Sequence, residues 1–491
     1  MVSYLWFDDA LPVANVGKTM RVLRVMVGAA AAAIALSGAT GLATAQAAGT
    51  NVQPIAAYAL VAPNGVSASG LIARAVVPQG VACPKLQVTK SNGSKKSVAM
   101  HIRKAPTNAG SAFAGYTACT VHIPAHATDA HIGRAKIPAA MPSSVKQMAV
   151  FGDTGCRIKG STVQNCATPD TWPLAKISQS IANEKPDLVV FTGDFFYREG
   201  DCPLTKLSDC GGSPAPVPGM PFKDTAYAWA ADVLTPMSPI FAKAPILVTR
   251  GNHEACNRGG NGYYWLMDPQ DGTENTCAPT QDAAGALTVP SNDLNKTFAA
   301  DVKLANHKSL RFVVVDSAYG WDCEASSIVP EQTLRYQAAQ ALAKGHNSWL
   351  VVHRPVVGWQ PNNDCSPTGG WVSTDQTTAS AGLLGDYQLM LSSHIHVAEA
   401  VNIPGLPGQL VIGNGGTLLD TVLGPVPTTA GPTFPAVTYP APTSSWMESK
   451  FGYVMATPTS AKHWSMNMHD PEGKLFASCE LQSKTITCAN K

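Results

Sequence analysis

The sequence predicts a layered α/β fold preceded by a small β-sandwich. The chain has 491 residues, of which 45% are hydrophobic and 14% are charged, so it can bury a large core. Short strand-like runs separated by turn formers fill its front part, whereas apolar runs alternate with helical patterns from about residue 146. We therefore expect a leader over residues 1–47, a β-sandwich domain over residues 48–145 and the main α/β domain over residues 146–491.

The leader has the features of a secretory signal peptide. Two arginines precede an apolar stretch from Val25 to Leu36, and the small residues at 43–47 offer A-x-A cleavage sites. Two aspartates before Met20 are unusual in a signal, so Met20 is the expected start. The apolar stretch is too short and alanine-rich for a convincing membrane span. We expect a secreted or periplasmic protein with no integral membrane segment after signal cleavage; an uncleaved anchor is the alternative.

The twelve cysteines agree with export, because oxidising compartments favour disulfides. The absence of a C-x-x-C pair disfavours a zinc ribbon or a thioredoxin-type site. We expect pairing between nearest neighbours, with buried free thiols as the alternative. The pairs we expect include Cys156 with Cys166, Cys202 with Cys210, Cys479 with Cys488, and Cys83 with Cys119 as a staple of the β-sandwich.

The net charge of +2 gives no reason to expect a nucleic-acid partner, which usually requires a clustered basic face. The sequence has no long run of lysine and arginine to change that expectation.

The β-sandwich is predicted from short β-rich runs between turn signals such as Pro63-Asn64-Gly65. The predicted strands are Ala56–Val61, Gly70–Val77, Lys85–Thr89, Ser97–Ile102 and Thr117–Ile123. We find no catalytic cluster in this segment.

Beyond residue 146, each short apolar run leads into a polar residue, as buried strands of an α/β sheet do at their functional edge. The predicted pairs of strand and polar residue are Met148–Phe151 with Asp153, Leu188–Phe191 with Asp194, Ile246–Val248 with Asn252, Phe312–Val315 with Asp316, Trp349–Val352 with His353, and Tyr387–Leu391 with His394 and His396.

Helical patterns lie between these strands, and the alternation predicts the layered architecture. The predicted helices are Trp172–Glu184, Asp224–Leu234 with Asp224 as its N-cap, and Glu331–Lys344 after Pro330. The segments 202–221 and 424–443 are rich in proline with glycine or threonine, and we expect surface loops there.

Each polar motif is ambiguous alone. Asp153 and Asp194 follow glycine as many turn aspartates do, and a single histidine such as His353 is more often structural. The His394–His396 pair is more suggestive, because residues two apart on a strand share a face. The most specific motif is Gly251-Asn252-His253-Glu254.

The order of these motifs resembles the calcineurin-like metallophosphoesterase superfamily over roughly residues 146–420. The Tyr in Gly193-Asp194-Phe195-Phe196-Tyr197 resembles the purple acid phosphatase branch, whose larger members also carry a β-sandwich in front. The resemblance implies the metallophosphoesterase fold, in which helices flank two mixed β-sheets.

Resemblance and ligand chemistry together imply two metal ions. Asp194 would bridge them, since a carboxylate has two oxygens. The first site would hold Fe(III) through hard anionic ligands, and the second a divalent ion (Zn, Mn or Fe). The ligands are Asp153, Asp194, Tyr197 and His396 in the first site and Asn252, His353, His394 and the shared Asp194 in the second. Two such ions can clamp a phosphate and supply hydroxide.

The resemblance places His253 beside the phosphate, where it stabilises the transition state or protonates the leaving oxygen. Glu254 is the expected partner that orients His253, with a helix-start carboxylate as the alternative. Arg250 is a candidate phosphate contact, and a solvent-exposed strand-end charge is the alternative.

The chain departs from the resemblance at Ser393, at Leu350, where the purple branch typically has valine, and at Asn362 and Asn363. Ser393 stands where the family normally has glycine, and we expect this small residue to be tolerated. Asn362 and Asn363 occupy a region where the purple branch often has another histidine, which leaves the proton donor and an acid pH optimum open. The turn at Gly413-Asn414-Gly415-Gly416 is expected to be structural.

The expected function is hydrolysis of small-molecule phosphate monoesters by attack of metal-bound hydroxide. A phosphodiesterase or nucleotidase with the same metals is a close alternative, because surrounding loops select the substrate. A non-catalytic metal-binding envelope protein is a third possibility, which the complete ligand set disfavours. The Ser/Thr protein phosphatase branch is a fourth, against which Tyr197 and the leader count.

Overall fold

The protein is seen in a computed structural model that describes residues 52–106, 113–212, 223–270, 277, 294–305, 308–361, 370–422, 426–435, 437–460 and 462–491. The expected leader over residues 1–47 lies outside the described residues, as do Asn362 and Asn363. Every helix within the described ranges is too short or too polar to cross a bilayer.

The front of the chain forms short strands, as its β-formers and turn residues predict. They are β1 (Ala56–Val61), β2 (Leu71–Pro78), β3 (Lys85–Lys90), β4 (Lys95–Ala99), β5 (His101–Lys104), β6 (Tyr116–His122), β7 (Ala127–Ile132) and β8 (Ala135–Ile137). The single strand expected at Ser97–Ile102 is divided at Met100, because β4 lies in a four-stranded sheet with β3, β7 and β8 while β5 pairs with β6 in a larger sheet.

The strands after residue 145 include all six that carry the polar motifs. They are β9 (Met148–Phe151), β10 (Ile158–Lys159), β11 (Thr162–Val163), β12 (Leu188–Phe191), β13 (Ile246–Val248), β14 (Phe298–Lys303), β15 (Ser309–Val315), β16 (Ser348–Val352), β17 (Gly358–Gln360), β18 (Gly370–Val372), β19 (Tyr387–Ser392), β20 (Ala398–Asn402), β21 (Gly408–Ile412), β22 (Thr433–Phe434), β23 (Val437–Thr438), β24 (Ser444–Glu448), β25 (Tyr453–Pro458), β26 (His463–His469), β27 (Leu475–Gln482) and β28 (Thr485–Asn490). The motif-bearing strands were therefore predicted to within a few residues.

The larger sheet has 11 strands in the order β28-β27-β26-β25-β9-β12-β13-β1-β2-β6-β5. Its centre is parallel, because β12 pairs in parallel with both β9 and β13. Strand β1 joins it through the parallel pairing of Leu60 with Ile246. The segment expected to be a separate β-sandwich thus shares a sheet with the rest of the fold, and the domain boundary after residue 145 stays a prediction.

A seven-stranded sheet faces this one, in the order β14-β15-β16-β19-β21-β20-β24. Strands β15, β16, β19 and β21 run parallel, and the outer pairings are antiparallel. Both sheets are mixed. One apolar core joins them, with side chains such as Val150 and Val190 from the larger sheet and Val314 and Leu391 from the smaller.

Helices cover the outer faces of the two sheets. They are α1 (Leu174–Glu184), α2 (Ala226–Trp229), α3 (Ser238–Phe241), α4 (Gly260–Gly262), α5 (Val329–Ala343) and α6 (Thr374–Ser380), with 3₁₀ turns at Leu204–Lys206 and Asn252–Glu254 and π turns at Ala230–Leu234 and Tyr263–Met267. Helix α1 packs Leu174, Ile177 and Ile181 against the larger sheet. Helix α5 packs on the smaller sheet. The expected α/β class, two mixed sheets flanked by helices, is confirmed.

Three helix starts differ from the prediction, and the first is α1, which begins at Leu174 rather than Trp172. Thr225, not Asp224, caps α2 by accepting a hydrogen bond from the amide of Ala228. The carboxylate of Asp224 instead accepts from the indole of Trp229 and from the backbone of Asn261, so it ties two segments together. Helix α5 begins at Val329, one residue before Pro330 rather than after it.

Five disulfides join nearest neighbours along the chain, as predicted. They are Cys83–Cys119, Cys156–Cys166, Cys202–Cys210, Cys256–Cys277 and Cys479–Cys488. Cys323 is disulfide-bonded as well.

Candidate metal centre

The polar motifs meet where the parallel strands of both sheets end. Asp153 and Asp194 follow β9 and β12 of the larger sheet, whereas His353 and His394 follow β16 and β19 of the smaller one. The amide of His394 donates to Oδ2 of Asp153 at 2.7 Å, which joins the two edges. The carboxyl ends of parallel strands from two facing sheets therefore build a single site.

Three of the residues that carry these side chains have an unusual backbone conformation. Asp153, Asp194 and His394 have φ values of 54°, 59° and 75°, in the left-handed region that residues with a Cβ rarely adopt. Strained conformations of this kind concentrate at functional sites. Gly193 has a φ of 104°, and a Cβ there would lie 2.6 Å from Nδ1 of His353, so only glycine fits.

The phenolic oxygen of Tyr197 is at the centre of the first cluster. It lies 2.5 Å from Oδ1 of Asp153 and 2.7 Å from Oδ2 of Asp194. Nε2 of His396 is 3.0 Å from the same phenolic oxygen and 3.5 Å from Oδ1 of Asp153. All four residues are buried, and His396 is the most exposed of them at 8%. The residues predicted for the first metal site are therefore brought together.

The amide oxygen of Asn252 is at the centre of the second cluster. It lies 2.9 Å from Nε2 of His353 and 2.8 Å from Nδ1 of His394. The 3₁₀ turn that begins at Asn252 directs this side chain back towards the strand ends. The residues predicted for the second metal site are also brought together.

Asp194 lies between the two clusters. Its Oδ2 is 2.7 Å from the Tyr197 hydroxyl and 3.2 Å from Nε2 of His353, whereas its Oδ1 accepts a hydrogen bond from the amide of His253. Oδ2 of Asp194 therefore faces both groups of ligands, which makes Asp194 the residue that would be shared by two metal ions.

Neighbouring acceptors determine which imidazole nitrogens have free lone pairs. Nδ1 of His353 is 3.0 Å from the carbonyl oxygen of Thr192, which can only accept, so Nδ1 carries a proton and Nε2 is the nitrogen that faces Asn252 and Asp194. Ser393 reinforces this, because its hydroxyl donates to the same carbonyl and lies 3.0 Å from Nδ1. The serine expected only to be tolerated therefore contacts a predicted ligand.

These donors fit two cations. In the first cluster, a single phenol proton cannot satisfy two carboxylate oxygens and an imidazole nitrogen that all lie within 3.0 Å of it. In the second, one amide oxygen lies within 3.0 Å of two imidazole nitrogens, and all three atoms can offer a lone pair to a cation. Convergent oxygen and nitrogen lone pairs are what a metal ion requires. Nitrogen or oxygen donors of Asp194, His353 and His394 all lie within 4.8 Å of one another.

His253 lies beside this centre, held by Glu199 and Arg258. Its ring stacks on Tyr197 with centroids 3.7 Å apart, and its Nε2 is 3.8 Å from Oδ2 of Asp194. Nδ1 is 2.5 Å from Oε1 of Glu199, which also pairs with Arg258 at 2.5 Å. Burial, and next the Arg258 charge, lower the pKa of His253 to about 3, so the imidazole is neutral at pH 7. Burial raises the pKa of Glu199, yet His253 and Arg258 outweigh it and lower that pKa to about 2.

Glu254 does not have the role expected of it. Its Oε1 accepts hydrogen bonds from the amides of Phe195 and Phe196, and its Oε2 from those of Asp194 and Gly251. The carboxylate of Glu254 therefore links the loop that begins at Asp194 to Gly251, and it caps the 3₁₀ turn. A carboxylate at a helix start was the alternative prediction for this residue. The carboxylate that contacts the ring of His253 is Glu199.

Arg250 is neither a phosphate contact nor a solvent-exposed charge. It is 1% exposed, donates to the carbonyl of Glu254 and the hydroxyl of Tyr264, and pairs with Asp316 at 3.3 Å. Both expectations for this residue were wrong, because the strand after which it lies is covered by the π turn at Tyr263–Met267.

A second acidic and basic pair lies against His394. Oδ2 of Asp322 is 3.1 Å from Nε2 of His394, and Oδ1 of Asp322 is 2.5 Å from Nη1 of Arg354. Burial raises the pKa of Asp322, but Arg354 and His394 lower it further, so this carboxyl is ionised well below its usual range. Sequence patterns alone did not identify Glu199, Arg258, Asp322 and Arg354. Glu199, two residues after Tyr197, and Arg354, which directly follows His353, had a positional signal, whereas Asp322 contacts the site only through the fold.

The glycine turn at residues 413–416 packs on the site, as expected of a structural turn. Gly415 donates its amide to the carbonyl of Gly152, and Thr417 donates to the carbonyl of Asp153. These bonds hold the loop that carries Asp153.

Comparison with known proteins identifies the family and supports the fold. The family model for calcineurin-like phosphoesterases matches residues 146–398. A purple acid phosphatase from seeds of yellow lupin (Lupinus luteus) has a similar structure, with a TM-score of 0.54 and 13% identity over 88% of this chain and 74% of that one, which supports the fold.

Two weaker structural similarities were also found. PhoD gives a TM-score of 0.48 and 13% identity over 89% of this chain and 92% of its own. A dimetal phosphatase from Danio rerio gives 0.35 and 12% identity over 69% and 99%. None of the curated proteins matches the chain.

Proposed function

The chain belongs to the calcineurin-like phosphoesterase family and is a metal-dependent phosphoester hydrolase, and from this premise we propose that it is an exported phosphomonoesterase. One observation carries the site assignment. The hydroxyl of Tyr197 faces the carboxylates of Asp153 and Asp194, while the amide oxygen of Asn252 faces two imidazoles, so lone pairs converge at two adjacent points.

The two clusters would hold different ions. Carboxylate and phenolate oxygens suit Fe(III), whereas amide and imidazole donors suit a divalent ion such as Zn, Mn or Fe(II). The proposed ligands are Asp153, Asp194, Tyr197 and His396 for the first ion and Asp194, Asn252, His353 and His394 for the second. When bound, the two ions supply Lewis acidity that activates water and neutralises the phosphate oxygens.

His253 is the proposed acid and base of the reaction. With Nδ1–H donated to Glu199, its Nε2 is an acceptor that lies 2.7 Å from Nη2 of Arg258 and 3.8 Å from Oδ2 of Asp194. After Nε2 takes up a proton, the carboxylates of Glu199 and Asp194 stabilise the imidazolium, which can then protonate the leaving oxygen. Glu199 has the orienting role first expected of Glu254.

Arginines near the ring of Tyr197 favour an anionic substrate. The guanidinium of Arg258 lies within 2.8 Å of both ring nitrogens of His253, and that of Arg157 lies 4.9 Å from the ring centroid of Tyr197. Positive charge near a phosphate site attracts an anionic substrate, and Arg157 supplies it here while Arg258 is paired with Glu199.

Substrate class is tested with two synthetic esters. We expect the purified protein to release nitrophenol from a nitrophenyl phosphate monoester faster than from a bis-nitrophenyl diester. Cleavage of the diester alone would replace the monoesterase proposal with a phosphodiesterase. Two bound metals without turnover of any phosphoester would replace it with a metal-binding envelope protein.

Export is the other part of the proposal. Five disulfides among the described residues and the signal-like leader support it, because disulfides persist in oxidising compartments. N-terminal sequencing of protein recovered outside the cytoplasm should begin after the small residues at 43–47. Recovery of uncleaved protein from the cytoplasm alone would contradict it.

A further inference from the structure

Asp322 connects two side chains that follow different strands of the smaller sheet. It lies in the segment after β15, and its two carboxylate oxygens contact different partners. Oδ2 is 3.1 Å from Nε2 of His394, which follows β19, whereas Oδ1 is 2.5 Å from Nη1 of Arg354, which follows β16. Nη1 of Arg354 is itself 3.1 Å from Nε2 of His394.

The contact with Asp322 favours one tautomer of His394. An ionised carboxylate can only accept, so it favours the proton on Nε2 of His394, whereas the guanidinium of Arg354, which can only donate, lies 3.1 Å from the same nitrogen. Nδ1 then has its lone pair free, and it is Nδ1 that lies 2.8 Å from the amide oxygen of Asn252. Metal-binding histidines commonly have their second nitrogen fixed by a carboxylate in this manner.

The positive charge of Arg354 would repel a cation at the second site, and the carboxylate of Asp322 offsets that charge. Its side chain is 9% exposed and its guanidinium lies against the imidazole of His394, so its charge is poorly screened from a cation bound beyond that ring. In the ion pair with Asp322, the two charges largely cancel at that distance. Without the carboxylate, the guanidinium would oppose binding of a divalent ion.

The position of Asp322 is set independently of His394. The hydroxyl of Thr374 donates to the Asp322 carbonyl at 2.8 Å, and the amide of the neighbouring Trp321 donates to Asp375 at 2.7 Å. Both partners belong to the first turn of α6. The carboxylate is therefore held in place before a metal binds.

We propose that Asp322 is a positioning residue for the second metal site, where it fixes His394 as an Nδ1 ligand and neutralises Arg354. This inference rests on the proposed assignment of Asn252, His353 and His394 to that site. It predicts that loss of the Asp322 charge weakens the binding of one of the two metal ions. Removal of the Arg354 charge should restore part of that affinity.

The test counts metals in purified holoprotein dialysed against increasing concentrations of a chelator. Wild type should retain two ions per chain at chelator concentrations where Asp322→Asn retains one, with the second ion bound about 10- to 100-fold more weakly. The double variant Asp322→Asn with Arg354→Met should regain part of that affinity. Arg354→Met alone should bind the second ion at least as tightly as wild type does.

Asp301→Asn is the matched control, because Asp301 forms an ion pair of similar length with Arg311 on strands away from the site. It should leave both ions unchanged. Equal affinity in wild type and Asp322→Asn, loss of both ions together, or a double variant no better than Asp322→Asn would each overturn the inference. Wild-type protein that never binds two ions would overturn the proposed function itself, and this inference with it.

Discussion

The hydroxyl of Tyr197 lies 2.5 Å from Oδ1 of Asp153, although the two residues follow different strands, β12 and β9. Parallel pairing of these strands in register brings their carboxyl ends together, and the left-handed backbone of Asp153 turns its carboxylate towards the phenol. This contact is the reason to expect a phenolate-ligated metal.

Tyr197→Phe tests that metal. If Fe(III) occupies the first site, the family resemblance implies a coloured protein through charge transfer from Tyr197. We expect the visible absorption band to disappear in Tyr197→Phe, because phenylalanine lacks the donor oxygen. The spectrum is compared with that of Tyr116→Phe, whose ring stacks loosely on Tyr227 away from the site. A band that persists in Tyr197→Phe would refute the iron–tyrosine assignment.

Glu199→Gln separates chemistry from metal binding. The variant should keep both metals but lose about 10- to 100-fold in kcat, since the imidazolium of His253 loses the carboxylate that stabilises it. Metal content and nitrophenyl phosphate turnover are measured on the same sample. Glu331→Gln, which alters a partly exposed ion pair on α5, is the control. Full activity of Glu199→Gln would remove Glu199 from the mechanism.

Glu254→Gln should act by another route. Its carboxylate accepts four backbone hydrogen bonds that join the loops of Asp194 and Asn252, and an amide offers one acceptor oxygen in place of two. We expect lower thermal stability and loss of metal together, with kcat per bound metal pair nearly unchanged. A fully metallated, stable but inactive Glu254→Gln would instead restore the direct catalytic role first predicted for Glu254.

Ser393→Ala measures the contribution of the residue that departs from the family pattern. Removing its hydroxyl takes one hydrogen-bond partner from Nδ1 of His353 and leaves the carbonyl of Thr192 in place. The affinity of the protein for the second metal ion should fall by about 2- to 10-fold, because a single hydrogen bond contributes about 0.5–1.5 kcal/mol. Ser238→Ala, which loses an exposed hydrogen bond, should have no effect. A fall of several orders of magnitude would mean that Ser393 does more than orient the ring.

Glu399 predicts a pH dependence of stability. Burial raises its pKa to about 8, although the amide of Trp359 donates to it. In the unfolded chain this carboxyl loses its proton near pH 4.3, so between about pH 4.5 and 8 the folded state binds one more proton than the unfolded state does. The stability that protonated Glu399 contributes is therefore fully present below that pH window. As pH rises through the window, the free energy of unfolding falls by about 1.4 kcal/mol per pH unit.

Glu399→Gln should remove this loss, because glutamine does not titrate. Chemical unfolding at pH 5 and pH 8 should show the variant to be as stable as wild type at the lower pH and more stable at the higher. Glu448→Gln, on the neighbouring strand β24 and partly exposed, should follow wild type. Equal pH dependence in Glu399→Gln and wild type would contradict the buried-acid interpretation.

The sequence was most informative where polar candidate site residues directly follow buried strands. Short apolar runs before Asp153, Asp194 and Asn252 located β9, β12 and β13 to the residue, because buried parallel strands tolerate few polar side chains. The same pattern placed seven donors at one edge. Their roles as ligands remain predictions that metal analysis must decide.

The structural features that the sequence did not predict depend on contacts between segments that are distant in the chain. Glu254 was expected to hold His253 because it is adjacent in the chain, yet the backbone turns it towards Phe195 and Phe196. Asp322 is distant in sequence from His394 and follows no motif. The sharing of a sheet between β1 and β13 rests on a pairing of Leu60 with Ile246 that no local pattern encodes.

The most direct test of the central claim is the metal content and phosphoesterase activity of Asp194→Asn. Asp194 faces both clusters, so its charge should be needed for both ions. Two metals per chain with turnover in wild type, and loss of metal and turnover together in a folded Asp194→Asn, are the predicted results. Normal turnover with full metal occupancy in that variant would contradict the site described above.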